Sequence, residues 1–323
     1  MKIRFSILTT ALIIACVLLP SAAFSWGWAV HTYIDDQFNT KWAVKNGNQL
    51  YGGLAPDLFN FRYDAPAYRE YLFYQTHNNF MKVWDEAQSI PGKALALGFV
   101  SHNESWGVDF TAHRSGITFG QKGTIPGHPD EGGYVIAKTY QLKAILEQVP
   151  EYNALQLPEP LTMTVAHELV ERGVDLLMKT MDPMIGAKMS AAALPPNPNF
   201  PLLMERAYAG ELAYFFGISH TDAVKFIAAS ERQYRQMLVL YGQALLQDTD
   251  TAIYLNALQL EEAAKHVLAA YGLPPFPEGV DIKPLLQFGI YQSMLLCADD
   301  FGPEVAATAA FVGGQMEAHG ISY

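Results

Sequence analysis

The chain has 323 residues, half of them hydrophobic and 16% charged, which is ample apolar material for a large core. Its 21 basic residues against 32 acidic ones give a formal charge of −11. That balance excludes nucleic acid and anionic membrane surfaces as default electrostatic partners.

Lys2 and Arg4 precede an apolar run over 5–19, and Ala23-Phe24-Ser25 forms a small-x-small junction before Trp26. The pattern predicts a secretory signal peptide over 1–25, cleaved after Ser25, and a secreted or periplasmic protein of residues 26–323. Ile13-Ile14-Ala15-Cys16 has the look of a lipoprotein site, but the apolar run continues through Leu19 as an ordinary h-region does. Processing would leave Cys297 as a lone thiol, with no disulfide to staple the exported chain. It would also leave 19 basic residues against 32 acidic ones, a formal charge of −13. Such a surplus suits a protein that uses carboxylates as cation ligands. No later apolar segment reaches the ~20 residues that span a bilayer, so no transmembrane anchor is expected after processing.

Beyond the junction, apolar residues recur at helical spacing over 67–88, 93–106, 160–181, 202–216, 221–246, 251–271, 283–297 and 303–313. Glycine and proline mark breaks at 52–56, 116–133, 194–201 and 272–279. Long alternating segments are absent. The expected fold is all-α, a multi-helix bundle forming a single domain over 26–323, in which the 194–201 connector could set off a helical extension from about residue 200.

Six of the nine histidines fall between residues 31 and 167, among acidic residues. His31 follows apolar Trp28-Ala29-Val30, Asp57 closes the turn Gly52-Gly53-Leu54-Ala55-Pro56, and His77 lies in an aromatic helix. Between Gly98 and His113, Asp109 follows His102 by seven residues and His113 follows by eleven. An unbroken helix would put all three on one face; Gly107 could instead end the helix and place the last two beyond it. The apolar approach over 94–100 argues for burial, and buried His and Asp need partners, of which a metal ion is the economical one. His167 and Glu171, four apart, share a helix face and can grip one cation.

In this order Trp26, His31, Asp57, His77, His102, Asp109, His113, His167 and Glu171 resemble the zinc-dependent phospholipase C family. The fungal and plant single-strand nucleases share that pattern. The resemblance spans residues 26 to about 175, and the rest of the chain carries no matching motif. It implies an all-helical fold with up to three zinc ions at the base of a cleft. Cleavage would make Trp26 the first residue, its α-amine and carbonyl binding one zinc together with His31. Asp57, His77, His102 and Asp109 would hold a second ion, with Asp109 bridging the two, and His113, His167 and Glu171 a third. Asp57 would also accept a proton from the attacking water.

The family pattern has His-x-x-x-Asp in its central motif, whereas position 106 here is Trp, so Glu104 stands as the rival bridge. His128, within Pro126-Gly127-His128-Pro129-Asp130, is the rival of His113. His220, His266 and His319 fall outside the pattern. Phe59, Phe61, Tyr63 and Tyr68 could line a head-group pocket or fill the core. The implied activity is phosphodiester hydrolysis on a phospholipid, with no stable nucleic-acid complex. A single-strand nuclease or nucleotidase on the same metals is the alternative. A non-catalytic zinc-binding helical protein is a third expectation.

Overall fold

A computed structural model describes residues 25–38, 47–125, 128, 132–155, 157–194, 199–270, 272, 274–276 and 280–321. The predicted signal peptide lies outside the described residues except for Ser25. Every regular element among them is helical. The helices are α1 (Trp28–Gln37), α2 (Gly47–Leu54), α3 (Pro66–Asn78), α4 (Met81–Glu86), α5 (Ile90–His102), α6 (Val108–His113), α7 (Tyr134–Leu146) and α8 (Pro150–Ala154). They continue with α9 (Glu159–Met181), α10 (Ile185–Ala193), α11 (Asn199–Met204), α12 (Gly210–Phe216), α13 (His220–Leu245), α14 (Thr249–Ala270), α15 (Lys283–Cys297) and α16 (Phe301–Ala318). A 3-10 turn (Ala55–Phe59) follows α2, and a π turn (Glu205–Ala209) joins α11 to α12. None of the described helices is long and apolar enough to cross a membrane. The all-α expectation holds.

Local chemistry explains where the helices stop. The single helix expected over 67–88 is divided, because Asn79 leaves helical dihedrals (φ −106°, ψ 31°) and α4 starts only at Met81. After His102 the Asn103 side chain accepts the N–H groups of Ser105 and Trp106 at 2.8 and 2.9 Å. This Asx turn competes with the helix and ends it. Asp109 and His113 therefore sit on α6, a separate short helix, and the continuous-helix alternative is set aside.

One cluster of buried hydrophobic residues runs from Trp26 to Ile321. Within it two backbone crossings position the polar residues discussed below. A Cβ on Gly98 would lie 2.1 Å from the Gln49 carbonyl oxygen, and one on Gly52 2.1 Å from that of Leu95. Only glycines allow α2 and α5 to touch so closely, and the crossing puts His102 beside Gly53. Gly27 lies against α9 in the same way, where a Cβ would sit 2.6 Å from the Glu171 carbonyl oxygen and 2.2 Å from Asp175 Oδ1.

Candidate metal centre

Residues distant in sequence converge at the crossing of these elements. Asp57 comes from the 3-10 turn, His31 from α1, His77 from the end of α3, His102 from the end of α5 and Asp109 from α6. None of their side chains is more than 3% exposed. His102 Nε2 lies 3.0 Å from Asp109 Oδ2 and 3.8 Å from Asp57 Oδ1. His77 Nε2 lies 3.5 Å from Asp57 Oδ1 and 3.6 Å from Asp109 Oδ2. On its other oxygen Asp109 approaches His31 Nε2 at 3.2 Å.

The orientation of the rings is enforced from behind. His77 Nδ1 faces the Phe73 carbonyl at 2.9 Å, and His102 Nδ1 faces the Gly53 carbonyl at 2.8 Å. A carbonyl only accepts, so each Nδ1 carries the proton, and in the neutral ring the Nε2 lone pair points into the cluster. Asp57 is held by the Asn60 amide on Oδ1 at 2.9 Å and the Trp28 indole on Oδ2 at 3.2 Å. Within the cluster His77 Nε2, His102 Nε2 and Asp109 Oδ2 are buried without a hydrogen bond. Buried polar atoms left this way are costly unless something else binds them. A four-coordinate ion with bonds of ~2.0–2.1 Å separates its ligands by about 3.3 Å, so these spacings suit a cation at the centre. His31, His102 and Asp109 form one group that could hold a metal ion, Asp57, His77 and His102 a second, and Glu104, Asp109 and His113 a third.

Electrostatics agrees with this geometry. Burial works to raise the Asp109 carboxyl, but His102 and His31 overcome it and hold the group well below the usual carboxylate range. Asp57 is likewise lowered, against burial, chiefly by His102. Burial would depress His102, yet Asp109 and Asp57 lift it to about 9. His31, stacked on His102 with ring centroids 4.0 Å apart, is lowered to about 4 by burial and by the charge of His102. Without a metal, a second proton on His102, at the Nε2 that lies 3.0 Å from Asp109 Oδ2, would stand where a cation would otherwise compensate the two buried carboxylates.

The remaining predicted residues extend the cluster. His167 Nε2 and Glu171 Oε1 on α9 are 2.9 Å apart, and the His113 ring lies 5.8 Å from that of His167. Glu104 Oε1 meets His113 Nδ1 at 2.5 Å, behind the ring, and its other oxygen accepts from Arg114. Asp109, rather than Glu104, touches His31 on one side and His77 and His102 on the other. His128 Nδ1 pairs with the Tyr140 hydroxyl at 3.0 Å, while His113 keeps company with His167. His220, His266 and His319 are exposed. Phe59 is fully buried core, Phe61 and Tyr63 line a cleft beside Asp57, and Tyr68 packs on Phe216 and Phe226.

At the start of the described chain the Trp26 indole is fully buried, stacked on Tyr134 at 4.8 Å and donating to Thr111 Oγ1 at 2.8 Å. The atoms that reach the donors here belong to the preceding residue. Ser25 N–H donates to Glu171 Oε1 at 2.9 Å and to His167 Nε2 at 3.2 Å. Its Oγ donates to Asp109 Oδ1 at 2.8 Å and lies 2.6 Å from His31 Nε2. Asp109 and Ser25 both face the same nitrogen of His31, whose Nδ1 has no hydrogen bond, so this is not the relay of a serine hydrolase. Sequence reasoning missed Ser25, because a serine before a tryptophan carries no signal of contacts more than 140 positions away.

No family model, curated protein or solved structure matches this chain. The geometry of the cluster therefore carries the functional argument alone.

Proposed function

We propose that the protein is an exported zinc-dependent phosphodiester hydrolase of phospholipase C type, acting on a phospholipid. The observation that carries this reading is the convergence of His31, Asp57, His77, His102 and Asp109 from five separate elements, with three buried donor atoms left without hydrogen bonds. Imidazole nitrogens with carboxylate oxygens are a donor set that zinc favours. Asp57, His77, His102 and Asp109 would hold one ion, Asp109 and His31 a second with the N-terminal backbone, and His113, His167 and Glu171 a third. When bound, zinc supplies Lewis acidity toward the phosphoryl group and lowers the pKa of water.

The chain's own residues do the positioning. The Phe73 and Gly53 carbonyls fix the imidazoles of His77 and His102. Asp57 lines the adjoining cleft, where its carboxylate can take the proton of an attacking water. Arg69 and Arg172 line the same cleft and can face the phosphate. Cleavage after Ser25 would remove the amide and hydroxyl that face Glu171, His167, Asp109 and His31. It would leave the α-amine of Trp26 one residue on, anchored by its buried indole.

Metal content and activity of the purified, processed protein test the reading. The expected result is at least two zinc ions per chain and release of diacylglycerol from phosphatidylcholine, with both reduced when one residue is retained before Trp26. Degradation of single-stranded DNA without diacylglycerol release would move the assignment to a nuclease. Fewer than two zincs together with no hydrolysis of bis-p-nitrophenyl phosphate would leave a non-catalytic helical protein.

A further inference from the structure

The cleft beside the donors changes character along its length. At one end it is lined by Asp57, Glu171 and Arg172. Its lining also takes in Leu157, Leu161 and Val165, together with Leu260 and Val267 of α14 and Leu285 of α15. Along α9 the lining runs from Leu161 to Asp175, a length of about 21 Å at 1.5 Å per residue. Several of the apolar residues, among them Val165, Val267 and Leu285, are only half-buried. Apolar side chains facing a recess in this way lose hydration cost only when an apolar occupant displaces water.

We infer that this cleft seats one hydrocarbon chain of an amphiphile whose polar group lies at Asp57, Glu171 and Arg172. The inference rests on the hydrolase reading and deepens it by naming the part of the substrate held by the second half of the chain, to which no motif assigns a role. An occupant of the apolar stretch is continuous with the donor cluster, so it must carry a polar group at one end. The basic residues lining the cleft argue against a polynucleotide. They are Arg69 and Arg172, set among Asp57, Glu168, Glu171 and Asp175. Arg172 has Glu168 at 3.7 Å, and Arg69 donates to the Asn60 carbonyl at 2.9 Å. A strand of phosphates needs a row of cations, and two arginines set among four carboxylates do not make one, even though Trp28, Phe61 and Tyr63 give the cleft aromatic faces.

Binding of n-alkylphosphocholines from butyl to dodecyl, each below its micelle concentration, to the zinc-loaded protein tests this. Affinity is expected to rise about fourfold per added methylene, the equivalent of ~0.8 kcal/mol buried per CH₂. Ala264→Trp, which fills the recess from α14, should flatten the series, and Val267→Thr should lower its slope if the larger change fails to fold. Affinity independent of chain length, a series untouched by both variants, or displacement of the dodecyl ligand by a single-stranded oligonucleotide would overturn the inference. A chain-length trend in a protein that hydrolyses no phosphodiester would keep the cleft and sink the catalytic reading. Hydrolysis of bis-p-nitrophenyl phosphate without the trend would do the reverse.

Discussion

Asp175 takes the N–H groups of Ala29 and Val30 on one oxygen, at 2.9 and 3.3 Å, and the Tyr241 hydroxyl on the other at 2.7 Å. Burial nevertheless outweighs these donors and lifts its pKa from 3.8 to about 6. In the unfolded chain the group titrates near its ordinary value, so between the two values the native state binds the extra proton. Stability from this group therefore falls as pH rises through that window. A shift of about two units corresponds to roughly 3 kcal/mol. Asp175→Asn keeps the shape and removes the titration. Urea unfolding of the metal-free pair should show the stability difference, wild type minus variant, falling by about 3 kcal/mol between about pH 4 and about pH 7. Parallel pH profiles would refute it. Nothing in the sequence marks Asp175, since its task, tethering the N-terminus of α1 to α9, exists only once the two have met. Ser25 was hidden for the same reason. His167 and Glu171 were readable because their four-residue spacing is itself a geometric statement.

At the level of elements, the tightest constraint is the α2–α5 crossing. A methyl group at Gly98 would meet the Gln49 carbonyl at 2.1 Å and the Gly53 nitrogen at 2.6 Å, both backbone atoms. Gly98→Ala should thus force the helices apart, at a cost of about 1–3 kcal/mol or more. It should also weaken metal binding, because the Gly53 carbonyl that orients His102 rides on α2. Gly210→Ala on α12 is the control, where a Cβ meets nothing within 4 Å. There the change should be neutral or stabilising by up to ~1 kcal/mol. Equal melting and equal zinc affinity in the two variants would contradict the account. Helices such as α9, α13 and α15 were readable because a periodic pattern ends at clear boundaries. α1 and α7 were missed: the buried face of α7 carries polar Lys138 and Thr139 while Ile136 and Ile145 lie off it, and α1 buries Trp28, Val30, His31, Thr32 and Asp35 all round its axis. A helix buried on several sides shows no one-sided stripe. The Asx turn at Asn103 puts Asp109 on a separate short helix, so no unbroken helical spacing relates it to His102.

For the whole molecule the question is what holds distant segments together, as no disulfide links the described residues. Cys297 is buried and free, and burial pushes its thiol up to about 12, so it neither crosslinks nor reacts readily at neutral pH. The cluster, by contrast, ties residues from 25 to 171 to one another across Asp57, Asp109, Glu104 and Glu171. Without a cation these carboxylates repel one another and rely on protons such as that of His102; a bound cation would turn them into a tertiary link across this half of the chain. A ligand present at a hundred times its dissociation constant stabilises the native state by about 2.7 kcal/mol per site. Stripping the ions with a chelator should therefore lower the melting temperature by on the order of 5 °C or more. Adding zinc back should restore it, while a thiol reductant should leave it unchanged. Scanning calorimetry under the three conditions decides the matter. A melting temperature indifferent to chelation would mean that the native state gains nothing from divalent ions, and that its buried carboxylates are compensated by protons alone.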